Sequence, residues 1–415
     1  MSQVPQNYEG EVLDFGDQML LPALVDTHVH VNEPGRTEWE GFLSATRSAA
    51  AGGITTLIDM PLNCSPVTVS KAALEEKVSQ IQGKTFVDVG FWGGVIPGSV
   101  KDLPELCEAG IFGVKSFMID SGLDEFPPLN VEQLEEAMTV LKENDLPYLV
   151  HAEYDTGEGD DEGDAQSYGT FLNSRPRSFE NKAIEILVDL CAKTGCKTHV
   201  VHLSSSDAIE LIKNAKQQLL PFSAETCPHY LTLASETIEN GQTQYKCCPP
   251  IREQENQDKL WEGLQDAVID FVVSDHSPCT PELKLLDAGD MEKAWGGIAS
   301  LQLGLLLVWT KARSRGIPLE QVVQWMCLNP ARFLGIDHRK GSLFPGKDAD
   351  IIVFDPDFKQ AIKAEMIHHR HKITPYENQE VYGKVRATYL RGQAVYKEET
   401  FSDSALGKLL WKGKL

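Results

Sequence analysis

Short apolar runs alternate with amphipathic stretches from about residue 20 to about residue 335. The apolar runs are LVDTHVH (24–30), ITTLIDM (54–60), FVDVGFWGGV (86–95), FGVKSFM (112–118), PYLVHA (147–152), THVVHL (198–203), PFSAETC (221–227) and DFVVSD (270–275), eight in all. Between them lie NVEQLEEAMTVLKEN (130–144), SFENKAIEILVDLCAK (178–193) and SDAIELIKNAKQQL (206–219). In the first of these, Val131, Leu134, Met138 and Leu141 recur near the 3.6-residue period and predict an amphipathic helix. Buried parallel strands read as near-continuous apolar runs, and strands alternating with helices predict a parallel sheet. Eight such units predict an α/β fold, a (β/α)8 TIM barrel over residues 21–335, with an open doubly wound sheet as the alternative. After Pro330 the texture changes. GSLFPGKDADIIVFDP (341–356) and VYGKVRATYLRGQAVYK (381–397) are punctuated by Gly and rich in β-branched and aromatic residues, which predicts hairpin strands. Residues 336–415, with a short contribution from residues 1–20, should form a small β domain beside the barrel.

Composition narrows the class. The chain has 415 residues, 42% of them hydrophobic, enough for a large core. No stretch reaches the roughly 18 uninterrupted apolar residues of a membrane span. With 38 basic against 61 acidic side chains the net charge is −23, which repels phosphate backbones and argues against nucleic acid as a partner. The first twenty residues lack the basic region and apolar run of a secretory signal. Nine cysteines, an odd number at scattered spacings, fit a reducing intracellular compartment, whether cytoplasmic, peroxisomal or mitochondrial. The terminal Gly413-Lys414-Leu415 only approximates the S-K-L peroxisomal address. Glu153–Asp164 packs seven carboxylates into twelve residues but lacks the ligand spacing of an EF-hand, so it reads as a solvated loop.

Chemistry is concentrated at the ends of the apolar runs. His28 and His30 close the first run, and alternate residues of a strand face the same side, so both imidazoles can meet one metal. His151 ends the fifth run, His202 the sixth and Asp275 the eighth. In a parallel barrel the C-terminal ends of the strands carry the chemistry. Lys115 lies inside the fourth run, where burial lowers an amine's pKa and makes the neutral form available to carbon dioxide. The resulting carbamate is an anionic, bidentate oxygen ligand able to bridge two divalent ions about 3.5–4 Å apart, the separation found in two-metal hydrolases.

DTHVH (26–30), GVKSFM (113–118), VHAE (150–153), VHLSS (201–205) and VSDHSP (273–278) resemble the metal-site motifs of the cyclic amidohydrolases, a family of dihydroorotases, hydantoinases or dihydropyrimidinases, and allantoinases. The resemblance spans residues 20–400. Within the family, NEPGRTEWEGF (32–42), ETCPHYL (225–231), KCCPPIR (246–252), SDHSPC (274–279) and WGGIASLQ (295–302) are most similar to the allantoinase branch. The resemblance implies a TIM barrel with a small β-sandwich domain built from both chain ends. It assigns His28, His30 and Asp275 to one metal and His151 and His202 to a second, with N6-carboxylated Lys115 bridging both. It further implies two zinc ions per chain, with manganese or cobalt as substitutes, Asp275 as the proton-transferring catalytic group, and the Cys248 backbone as a substrate contact. The small-molecule substrate it implies is allantoin, opened to allantoate, and the assembly a homotetramer. Dihydroorotases carry an Arg two residues past the H-x-H pair to grip a carboxylate. Asn32 stands there instead and is expected to contact a neutral substrate. A hydantoinase-type ring opener and a non-catalytic homologue are the other readings, the latter opposed by the complete set of six ligands. Family members usually carry more β-rich sequence ahead of the first barrel strand than the twenty or so residues present, so a shortened small domain with an exposed strand edge is expected.

Overall fold

The computed structural model describes residues 9–413. All eight apolar runs become strands of one closed parallel barrel: β2 (Leu24–Val29), β3 (Ile54–Asp59), β4 (Asp88–Phe91) continued by β5 (Gly93–Gly94), β6 (Val114–Phe117), β7 (Tyr148–His151), β8 (Thr198–Val200), β9 (Phe222–Thr226) and β10 (Phe271–Val272). The hydrogen-bonded order is β2-β3-β4 and β5-β6-β7-β8-β9-β10, and a parallel bridge between Val29 and His276 closes the ring. The open-sheet alternative is therefore set aside.

The third run is two strands because its halves have different partners. β4 pairs with β3 on one side, and on the other Val89 exchanges hydrogen bonds with Lys408 and Leu410 of the returning chain end. Beyond Trp92, β5 pairs with β6. Alternation within strands sorts the interior. Leu149 joins Val25, Ile58, Trp92, Phe112 and Val201 in one buried cluster, while its neighbours Tyr148 and Val150 join the larger layer beneath the helices. His151 therefore faces the same way as Leu149, into the barrel.

The predicted helices form where the period placed them. Val131–Glu143 buries Leu134, Ala137, Met138 and Leu141, and Asn130 with Gln133 closes a reciprocal capping box at its start. Arg177–Thr194 ends at Gly195, whose φ of 67° is the left-handed terminator that glycine adopts at little cost. The third segment opens with a 3-10 turn, Ser206–Ala208, before the helix Ile209–Gln217.

Both chain ends build the small β domain. Among the described residues it is one five-stranded antiparallel sheet in the order β1 (Met19–Pro22), β11 (Ile351–Ala361), β12 (Glu380–Leu390), β13 (Gln393–Lys397) and β14 (Thr400–Phe401). β1 runs to Pro22 and pairs on one side only, with β11. Thr388 Oγ1 donates to Ala50 O at 2.7 Å, joining β12 to a barrel helix. A buried ionic cluster joins the two units more firmly. Lys340 Nζ lies 2.7 Å from both Asp88 and Asp350, and Arg391 forks onto Asp88 at 2.6 and 2.7 Å. No helix among the described residues is long and apolar enough to cross a membrane. All nine cysteines are free. Of the terminal tripeptide, Lys414 and Leu415 lie outside the described residues, as do residues 1–8 of the stretch read for a secretory signal.

Candidate metal centre and active site

At the C-terminal mouth of the barrel a pocket of about 350 Å³ has His30, Lys115, His151, His202 and Asp275 in its lining, with His28 fully buried beside Lys115 and Asp275. The pairing of β2 with β3 shifts register between Asp26 and Val29, and Asp26 Oδ1 accepts from the His28 amide at 3.0 Å. Asp26 also accepts from the Ser274 amide, tying the first strand to the last. His202 and Asp275 lie just past β8 and β10 with φ of 41° and 43°. Such non-glycine conformations cost of order 1–3 kcal/mol each and persist where surrounding structure over-determines them, characteristically at functional sites.

The six candidate ligands converge. His28 Nε2 lies 3.1 Å from Asp275 Oδ1 and 3.2 Å from Lys115 Nζ. His30 Nε2 is 3.4 Å from the same Asp275 oxygen, and His151 Nδ1 is 3.0 Å from His202 Nε2. His28, His202 and Asp275 offer ligand atoms all within 4.8 Å of one another. Two carboxylates behind the imidazoles decide where the lone pairs point. Glu225 Oε1 accepts a hydrogen bond from His28 Nδ1 at 2.5 Å, and Glu153 Oε2 accepts one from His151 Nε2 at 2.7 Å. In the neutral rings these bonds leave His28 Nε2 and His151 Nδ1 facing the shared space, the arrangement in which a carboxylate orients a metal-bound histidine. Imidazole nitrogens and a carboxylate oxygen gathered within about 3 Å of one another in a buried space are a donor set that fits divalent metal. Imidazole and carboxylate suit zinc, manganese and cobalt alike.

Electrostatics agree. Burial lowers the Lys115 amine to about 8, against the attraction of Asp275 and Glu225, which brings the neutral form within reach near neutrality. Burial likewise holds His30 at about 4 and drives His202 well below the usual imidazole value, leaving both neutral. Burial opposes ionisation of Asp275 and Glu225, but the surrounding imidazoles outweigh it and keep both carboxylates charged, Glu225 at about 2.

Around this floor the pocket wall includes Phe117, Arg175, Lys246, Cys248 and Trp295. Phe117 stacks on the His151 ring at a centroid distance of 4.5 Å. Cys248 is part of the wall. Asn32 is not: its φ of 67° turns it away, its Nδ2 donates to Pro278 O at 3.2 Å, and it is buried outside the pocket lining. Nor is the wall free of cations. Arg175 forks onto Glu153 at 3.1 and 2.7 Å, and Lys246 Nζ donates to the carbonyls of Glu292 and Ala294 at 2.8 and 2.7 Å. The Arg175 charge is paired with Glu153, whereas Lys246 is held by two neutral carbonyls.

Glu153, Arg175, Glu225 and Lys246 were missed as functional residues, although Glu153 and Glu225 sit inside VHAE and ETCPHYL. Each carboxylate shares its motif with strand-end residues, and that position was the available signal. The rest of the acidic run past Glu153 is exposed loop that turns on its own carboxylates, such as Asp155 Oδ1 accepting from Gly157 N at 2.8 Å.

Comparison with known proteins places this geometry. The amidohydrolase family profile matches residues 19–395. An allantoinase from Streptomyces avermitilis is 47% identical over 96% of this chain and 88% of its own length. An allantoinase from Saccharomyces cerevisiae is 46% identical over 94% of this chain and 86% of its own. Among solved structures, an L-hydantoinase (dihydropyrimidinase) from Arthrobacter aurescens superposes with a TM-score of 0.88 at 29% identity, covering 95% of this chain and 89% of that one.

Proposed function

Because the chain belongs to the amidohydrolase family, we propose that it is a cyclic amide hydrolase that opens the hydantoin ring of allantoin to give allantoate. One observation carries the reading. In a chain 47% identical to an allantoinase over 96% of its length, six metal-competent side chains lie together at one pocket. His28, His30 and Asp275 would hold one metal ion and His151 and His202 a second. Lys115, carrying a carboxyl group gained from carbon dioxide with loss of one proton, would join the two. When bound, such ions supply hydroxide at neutral pH and polarise the carbonyl under attack.

The protein's own groups do the rest. Asp275 is charged, and a carboxylate oxygen not committed to a metal accepts the proton of the attacking water and passes it to the leaving ring nitrogen. Proton transfer of that type contributes typically about 10²–10⁴-fold. The ring C–N bond breaks, the carbonyl carbon becomes a carboxylate, and the nitrogen keeps the delivered proton. Cys248 lines the pocket, and its backbone is the group that would hold the ring amide. Glu225 and Glu153 hold the imidazoles of His28 and His151 in their ligating tautomers. Zinc is the metal we propose, a homotetramer the assembly, and a reducing intracellular compartment the location, in keeping with free cysteines throughout the described residues.

The test is turnover of allantoin, hydantoin, dihydrouracil and dihydroorotate on one metal-loaded preparation. Allantoin should give the highest kcat/KM. The anionic dihydroorotate should trail widely, because Arg175 is already paired with Glu153 and Lys246 is tied to two backbone carbonyls of the wall, so no guanidinium is free to grip its carboxylate. Equal or faster turnover of dihydroorotate would overturn the substrate assignment.

A further inference from the structure

We propose that Cys227, His229 and Asp275 form a third, thiophilic metal site beside the proposed two-metal centre, and that occupying it shuts the enzyme off. Ligand atoms of the three residues lie within 4.8 Å of one another. Cys227 and His229 are fully buried and Asp275 is 7% exposed. Neither ring nitrogen of His229 has a hydrogen-bond partner. An imidazole fully removed from water with both nitrogens unpaired is unusual, because each unpaired buried polar atom carries a desolvation cost. A cation on one nitrogen would remove half of that cost.

The donor set is of a different kind from that of the neighbouring centre. The first six groups offer imidazole nitrogen, an amine and carboxylate oxygen, whereas this one brings a thiol. Thiolate, imidazole and carboxylate together favour zinc and softer divalent ions such as cadmium, and three protein ligands leave the fourth position of a tetrahedron open. On binding, the Cys227 thiol gives its proton to solvent and the sulfur–metal bond forms. No oxidant or reductant is involved.

The site is placed to inhibit because it shares Asp275. Oδ1 of that carboxylate already faces His28 and His30. A cation held by Cys227 and His229 would engage the carboxylate from a further direction and lower its basicity. The reaction proposed above needs that carboxylate to accept a proton. The inhibitory consequence rests on that reading, while binding itself does not.

The experiment starts from protein carrying two zinc ions per chain. Cadmium is added and the ultraviolet thiolate-to-cadmium charge-transfer band is followed, with metal per chain counted after desalting. In a parallel series excess zinc is added and allantoin turnover is measured. Wild-type protein should take up a third cation with a rising thiolate band, and excess zinc should lower turnover by about 10²-fold, the scale of a lost proton-transfer group. Cys227→Ser and His229→Gln should each stop at two cations, show no band and keep their turnover in excess zinc. Either variant suffices if the other does not fold. Saturation of the wild type at two cations without a band overturns the proposal, and so does a third cation retained by the variants. A protein with two cations per chain and no turnover of allantoin would instead refute the proposed reaction, and the count and the band would still decide the third site.

Discussion

Replacing Glu225 by Gln should weaken metal binding by about 10–100-fold while leaving the fold in place. Glu225 is fully buried, with Oε1 2.5 Å from His28 Nδ1 and Oε2 3.1 Å from His199 Nε2. Gln preserves the shape of this bridge. Its carbonyl still accepts from His28 Nδ1, and its amide donates to His199, whose other nitrogen lies 2.7 Å from Ser223 Oγ. The one contact the amide cannot keep is the long 3.5 Å bond that Thr27 Oγ1 donates to Oε2, so the loss reports chiefly the charge. A hydrogen bond to a charged group contributes about 1.5–3 kcal/mol and a neutral one about 0.5–1.5. The difference, about 1–2 kcal/mol, is the amount by which Glu225 favours a positively polarised His28 over a neutral one. Since about 1.4 kcal/mol is tenfold in affinity, the bond accounts for a factor of roughly 5–30, and the lost through-space attraction adds to it. The assay is competition for metal against a chelator of known affinity, with thermal unfolding of the metal-free protein as the control. Unchanged affinity at unchanged Tm would refute the view that Glu225 makes His28 a ligand, and would place the metal elsewhere.

Three further outcomes follow from other parts of the molecule. Lys115→Ala should lose most bound metal and activity, whereas the intact mass of active wild-type protein should include one added carbon dioxide per chain; a fully active, metal-loaded enzyme with an unmodified Lys115 would refute the bridge. Lys340→Met leaves the buried carboxylate of Asp350 without its cation, although Thr55 and the Arg391 amide still donate to it, and leaves Arg391 as the cation paired with Asp88, so urea unfolding should report a loss of about 3–5 kcal/mol, the scale for breaking a buried pair from one side. His369 is fully buried with both ring nitrogens unpaired, and burial, then His276, lowers it from the ordinary imidazole value to about 3. The unfolded chain therefore binds a proton near pH 6.5 that the folded one refuses until about pH 3, so stability is complete above 6.5 and falls as the pH drops toward 3, by at most about 1.4 kcal/mol per pH unit. His369→Phe should flatten that slope in denaturation curves collected across the range, and an unchanged slope would show that the group does not titrate there.

What was legible in the sequence follows the reach of the signals that wrote it. A strand repeats every second residue, so H-x-H placed His28 and His30 on one side of β2 before any partner strand was known. A lysine within an apolar run carries its own anomaly, and Lys115 is buried at 1% exposure. The helix at Val131–Glu143 is a local object with its own capping box, and its period sufficed. None of these signals names a partner at a distance. Glu225 meets His28 across 197 positions, and the break between β4 and β5 is imposed by a chain end that returns more than 300 residues later. Periodicity in one segment carries no information about either.

Asn32 shows a different limit, because the substrate contact expected there follows from the resemblance to related enzymes and depends on how the backbone leaves the strand. The strand period, continued past His30, sends Asn32 to the same side as the two histidines and so toward substrate. It holds only while the backbone stays extended. β2 ends at Val29, the His30 amide is taken by His276 O at 2.8 Å, and Asn32 enters the left-handed region with φ of 67°. Asparagine tolerates that conformation better than most residues, so its identity there is accounted for by the turn. The side chain then bonds Pro278 O, in the segment that follows Asp275. Its contribution to catalysis runs through the placement of that carboxylate rather than through contact with the ring. Asn32→Ala should therefore lower kcat with little change in KM for allantoin. A raised KM at unchanged kcat would return Asn32 to the substrate-binding role that the resemblance implies.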